Sequence, residues 1–211
     1  MKQISLIFLV TIFTCLGCAN SQKENYKYTD KDDLLSCSEV DMVLIKEAVY
    51  AFEDFIAKHY TYNNQVNLQE GYLNFLHNAN MGLIPKVEFF DDHIRTLFLE
   101  LKEHTTLWNT NQNSLDYNGE IIKCISSQIK DKTTQNVFDA LTSSNTMRTE
   151  IYSASLGQNI ETLLADEALR TYVALDMFYA KFLGLDFNLS QEQLIKEVSR
   201  INREIAGHKA H

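Results

Sequence analysis

Apolar positions recur at spacings of three and four over most of the chain, which places them on one face of a helix rather than on alternating faces of a strand. A first helix is expected from Ser38, with Ser38 as cap, Glu39 and Asp41 at the positive end of its dipole, and Ile45, Val49, Phe52, Phe55 and Ile56 on the buried stripe. Asn67 and Glu70 have capping-box spacing and open a second helix through Leu68, Tyr72, Leu73, Phe75, Leu76 and Ala79. Gly82 is the expected left-handed residue after it, and Pro85 the start of a third helix reaching about Asn109, with Ile94, Leu97, Phe98, Leu101 and Trp108 on one stripe.

After a polar connection ending in Asn118-Gly119, Ile121, Ile122, Ile125 and Ile129 predict a fourth helix despite their β-branching. Val137, Phe138 and Leu141 mark a short fifth element, and Thr146 to Leu156 a sixth helix stopped by Gly157. The longest pattern runs from Ile160 to Leu183 and predicts one continuous helix, ended by Gly184 and Leu185. Ser190 and Gln193 form a second capping box before a last helix, in which Leu194, Ile195, Val198, Ile201 and Ile205 face inward and which Gly207 ends. The expected fold is therefore all-α, a single helical-bundle domain of about seven or eight helices over residues 37–207, followed by a tail over 208–211. One proline, few glycines and no run of period two argue against a β-sandwich.

The amino-terminal stretch has another character. Lys2 precedes an apolar run from Ile4 to Phe13 that closes on small residues, the layout of a secretory signal peptide and too short for a permanent span. It ends in Cys15-Leu16-Gly17-Cys18, which resembles the lipobox of bacterial lipoproteins. That family prefers Leu and then Ala or Ser where this chain has Cys15 and Leu16. The resemblance implies a signal peptide over 1–17, a diacylglyceryl thioether on Cys18, and, because Ala19 rather than Asp follows, passage to the outer membrane facing the periplasm. An ordinary cleaved leader with an unmodified Cys18 is the alternative. Residues 18–36 are polar and charged and read as lipid anchor and flexible tether, with Tyr26 and Tyr28 scattered in it.

The chain has a formal charge of −9, and removal of a leader whose only charge is Lys2 makes it −10. Such a surface repels phosphate backbones and anionic headgroups, so no nucleic-acid partner is expected, and a basic protein suits it better. Beyond Cys18 only Cys37 and Cys124 remain; in an exported chain they read most simply as a disulfide, with two buried free thiols as the alternative.

One stripe of the third helix brings His93, Glu100 and His104 to one side, residue types that can ligate a metal; a solvated border strip accounts for them equally well. No metal or other cofactor is called for by a named motif. HExxH, Glu-x-x-His, GxSxG and phosphate-loop patterns are all missing. Ser153 and Ser155 have no positioned base in the sequence, and Asp166, Glu167 and Asp176 read as surface carboxylates. The functional expectation is a lipid-anchored cell-envelope protein acting as a protein-interaction module, of immunity type or an accessory subunit. The alternative is a small-molecule or metal-binding periplasmic lipoprotein, with an envelope hydrolase third.

Overall fold

The computed structural model describes residues 26–62 and 65–209, with side chains to 207. The proposed leader and Cys18 lie outside the described residues. The fold is an all-α bundle: α1 (Met42–His59), α2 (Leu68–Asn80), α3 (Asp92–Glu103), α4 (Glu120–Gln128), α5 (Lys132–Ser143), α6 (Thr149–Gln158), α7 (Ile160–Leu164), α8 (Glu167–Tyr172) and α9 (Gln191–Lys209). A two-residue antiparallel pair, β1 (Trp108–Asn109) with β2 (Ser114–Leu115), replaces the end of the expected third helix, with Trp108 opposite Leu115.

Capping explains where most helices begin. Asp41, not Ser38, caps α1 by accepting from Val43 and Leu44. Asp91 accepts from Ile94 and starts α3 seven positions beyond Pro85, because its carboxylate satisfies an otherwise orphaned donor. The Ser190 and Gln193 box forms as expected, with Gln193 N donating to Ser190 Oγ and Ser190 N to Gln193 Oε1. At the end of α2, Gly82 has φ 69°. Gly82 N donates to Ala79 O and Leu83 N to Asn78 O, the paired bonds of a Schellman turn. Two glycines do not stop their helices, since Gly157 lies within α6 and α9 continues past Gly207 to Lys209.

The largest departure lies between Ile160 and Leu183. Instead of one helix, α7 is closed at Ala165, Asp166 caps α8, and the chain then continues as a π-helical stretch Val173–Phe178 and a 3₁₀ stretch Tyr179–Phe182. All residues from Thr171 to Ala180 are buried, so this segment is not a surface helix with one apolar face but the axis that the others surround. Phe178 shows its role, with ring contacts to Phe52 and Phe55 of α1, Phe75 of α2, and Phe90 and Phe182 at centroid distances of 5.0 to 6.1 Å. α2 is held against α1 at Gly71, where a Cβ would stand 2.7 Å from the Ile56 carbonyl oxygen.

Residues 26–36, expected as flexible tether, instead form a strap docked on the bundle. Leu34 and Leu35 are buried, and the strap's polar groups find partners on α1, α3 and α4. The buried Glu47 carboxylate accepts from the amides of Lys27 and Tyr28 at 2.6 and 2.9 Å, while Tyr28 Oη donates to Asp54. Cys37 and Cys124 are joined by a disulfide that ties the foot of the strap to α4, with Cα atoms 5.9 Å apart and a sequence separation of 87. Polar composition alone suggests a tether; two adjacent leucines and a carboxylate waiting on α1 decide otherwise.

Candidate functional site

The stripe read from α3 does not assemble. His93 Nε2 lies 2.8 Å from Glu47 Oε1, close but not aligned as a hydrogen bond. Glu100 accepts from Tyr26 Oη at 2.8 Å, and His104 is an exposed residue at the C-terminal end of α3. Glu100 thus holds the strap, His93 lies against Glu47 of α1, and His104 faces solvent. Among the described residues, no group of three or more His, Cys, Asp or Glu side chains could hold a metal ion.

Two carboxylates expected on the surface are also buried inside the bundle. Asp166 accepts from the amides of Ala168 and Leu169, capping α8, and from Lys130 N at 2.7 Å. Asp176, completely buried in the π-helical stretch, accepts from Leu115 N at 2.8 Å, Tyr172 Oη at 2.9 Å, Tyr117 Oη at 3.1 Å and Thr149 Oγ1 at 3.4 Å. Burial, and then the Asp176 charge, push the Tyr117 and Tyr172 hydroxyls above their ordinary range, so both stay protonated donors. On α1, Glu53 accepts from Tyr72 Oη at 2.9 Å and Arg170 Nη1 at 2.8 Å. These acids are saturated with internal donors and join elements far apart in sequence, so they act as fold-holding polar nodes.

A cleft with a mixed polar and apolar lining lies elsewhere. α5 packs on α4, α6 packs on α2, and α5 and α6 diverge over α7 and α8 to leave a cleft of about 370 Å³. Leu156, Leu163, Leu169 and Tyr152 lie behind it as buried core side chains. Its rim is polar and uncharged at Thr133, Ser155, Asn159 and Thr162, and Val137, 48 % exposed, forms an apolar lip. Among the described residues, Asp131 is the only charged one that lines it. That carboxylate caps α5, accepting from Thr134 N and Oγ1, and these bonds hold its pKa below the usual range.

Tyr152 is unusual within this wall. Its ring packs on Phe138 and Tyr172, yet its hydroxyl is buried without a hydrogen-bond partner. Burial, with Asp166 second, raises its pKa and keeps the proton in place. A buried donor without an acceptor costs about 1–3 kcal/mol, so the position is not explained by stability.

Of the cleft residues, sequence reasoning weighs only Ser155 for chemistry, while Val137 and Leu156 enter it as helix positions. The cleft residues come from α5 to α8 and the caps beside them, and their types are ordinary for helices, so nothing in the sequence singles them out. Neighbouring Ser153 is buried and donates to Glu150 O, so the serine pair does not converge on a base. Neither a family model, nor a curated protein, nor a solved structure matches this chain.

Proposed function

We propose that this protein is a lipid-anchored component of the cell envelope that acts as a protein-interaction module. The observation that carries the binding part is the α5–α6 cleft, which is backed by buried leucines and has an uncharged hydrogen-bonding rim, an exposed apolar Val137 and, among the described residues, no acid–base pair lining it. Such a surface is suited to holding a partner group rather than transferring protons. The buried carboxylates that would otherwise suggest catalysis are engaged by internal donors. The formal charge of −10 after leader removal favours a basic partner, and an immunity-type protein or an accessory subunit of an envelope complex are two forms of this reading.

The anchoring part rests on the lipobox-like Cys18, and the docked strap gives it a consequence. With residues 19–25 between Cys18 and Tyr26, the attachment point on the bundle would lie at most about 30 Å from the lipid. No helix among the described residues is long and apolar enough to cross a membrane. A neutral small molecule is the second reading, favoured by a cleft volume within the range of ligand pockets.

Mass spectrometry of the mature amino terminus tests the anchor: acylated Cys18 supports it, and cleavage elsewhere or an unmodified cysteine ends it. A stoichiometric protein complex in mildly solubilised membranes, dissociated by substitutions at the cleft or another defined surface, supports the interaction module. A protein that remains alone at native expression and binds no basic envelope protein would defeat that reading.

A further inference from the structure

The strap over residues 26–36 is held in two different ways along its length. Lys46 and Glu47, neighbours on α1, grip its upper part largely by the backbone. Lys46 Nζ donates to Thr29 O at 3.2 Å, Lys31 O at 3.0 Å and the Asp33 carboxylate at 3.0 Å, while Glu47 receives the amides of Lys27 and Tyr28. Further contacts join Tyr26 to Glu100, Lys27 to Asp91 and Tyr28 to Asp54, and residues 29–33 are exposed. The half-buried rings of Tyr26 and Tyr28 are the apolar share of this part. The foot is held otherwise: Leu34 and Leu35 are buried, Gln128 both accepts from Ser36 N and donates to Ser36 O, and the disulfide joins Cys37 to α4.

Release therefore costs the two parts unequally. Lifting residues 26–33 returns carboxylates and an ammonium group to water, which replaces the lost hydrogen bonds, and uncovers two tyrosine faces. Lifting residues 34–37 uncovers leucines and is barred by a covalent bond. We infer that the strap is a two-part latch, in which residues 26–33 lift off the bundle as one unit, with Lys46 and Glu47 as the catch, while residues 34–37 stay docked as the hinge. The consequence for a membrane-attached protein rests on the lipid-anchor reading: lifting moves the attachment point from Tyr26 to Leu34 and raises the greatest reach from Cys18 from about 30 Å to about 55 Å. The disulfide sets the stop. Tension that has peeled the upper part passes from Cys37 directly to Cys124, so α1, α2 and α3, which lie between the two cysteines, are not drawn out.

Native-state hydrogen exchange on the full chain, read residue by residue by NMR, tests the latch. The amides of Lys27 and Tyr28, both bonded to Glu47, should exchange roughly a hundredfold or more faster than core amides such as that of Phe52. Their exchange should also depend only weakly on added denaturant, because a local opening exposes little surface. Lys46→Ala removes the cation of the catch at a position outside the apolar core, and it should speed exchange at Lys27 and Tyr28 by roughly tenfold relative to Phe52. Glu47→Gln keeps the shape of the side chain and one acceptor oxygen, and it should act in the same direction.

Strap amides that exchange at the rate of the core, with the core's denaturant dependence, would overturn the latch. So would exchange at Lys27 and Tyr28 that neither substitution changes relative to Phe52. Residues 34–37 opening together with residues 26–33, at one rate and one denaturant slope, would make the strap a single unit and remove the hinge. The anchor is judged separately: an unmodified Cys18 with fast strap exchange would end the lengthened tether and leave the latch, whereas acylated Cys18 with a strap as slow as the core would do the reverse.

Discussion

Tyr152 and Tyr172 touch edge to face, with ring centroids 5.6 Å apart, and both are buried, yet their hydroxyls meet opposite fates. Tyr172 Oη donates to Asp176 in a node that also gathers Leu115 N, Tyr117 and Thr149. Tyr152 Oη is enclosed in the core and has no hydrogen-bond partner among the described residues. The same side chain in the same core is thus a structural brace at one position and an unused donor at the other. Saturated polar groups report on how the bundle is held, whereas an unsatisfied one marks a cost that the ring packing around it offsets.

The sharpest way to break the contrast is Asp176→Ala. It leaves the Leu115 amide and the Tyr117 and Tyr172 hydroxyls without their shared acceptor, and a loss of about 3–5 kcal/mol is expected in denaturant unfolding. Tyr172→Phe removes one donor but leaves the others on Asp176, so the expected loss is smaller, about 1–3 kcal/mol. A midpoint equal to the parent's in either variant would show that Asp176 does not brace the fold.

Alkaline titration tests the Asp176 and Glu53 nodes without mutation. Burial raises the pKa of Tyr72 and Tyr172 well above 10.0, so each hydroxyl binds its proton more tightly folded than unfolded. Their contribution is therefore complete below the unfolded value and falls as pH rises past it, by up to about 1.4 kcal/mol per pH unit for each tyrosine. Phenolate absorbance from these residues should appear together with loss of helical circular dichroism; ionisation in a protein that stays folded would contradict the assigned burial. The smallest loss belongs to Tyr152→Phe, which should match the parent or exceed it by up to about 1–3 kcal/mol, because a buried hydroxyl is removed and no hydrogen bond is lost. A loss as large as that of Tyr172→Phe would mean that the Tyr152 hydroxyl is paired after all.

Much of the helical architecture was legible in the chain. The Ser190 and Gln193 box, the left-handed Gly82 and the stripe Ile45, Val49, Phe52, Phe55 and Ile56 rest on signals within a few residues of each other, and all appear where the pattern places them. Errors arose where a local signal met a competing partner. Pro85 could start a helix, but Asp91 offers the better cap, and the strand pairing of Trp108 with Leu115 ends the region that periodicity would continue. Between Ile160 and Leu183 the apolar period ran on unbroken while Asp166 capped a new helix inside it. Asp166 and Asp176 looked like surface carboxylates because a single sequence does not reveal which distant amides and hydroxyls will arrive to satisfy them.

The candidate site was less legible for the same reason. His93, Glu100 and His104 share a helical stripe, but the strap and Glu47 engage the first two in different contacts. The cleft residues have no common spacing at all, since Asp131, Val137, Tyr152, Asn159 and Leu169 meet only when α5 and α6 diverge over α7 and α8.

By itself, the sequence determined the all-α class, most helix positions, the acidic surface and the lipobox-like end, because periodicity, capping and net charge are properties of neighbouring residues or of simple totals. Tertiary structure alone decided that residues 26–36 dock rather than trail, that Asp176 is a buried acceptor, and that one of two touching tyrosines is left without a partner. Those outcomes depend on which polar groups reach one another across the core, where an unpaired donor or acceptor is costly and a partner may be a hundred residues away.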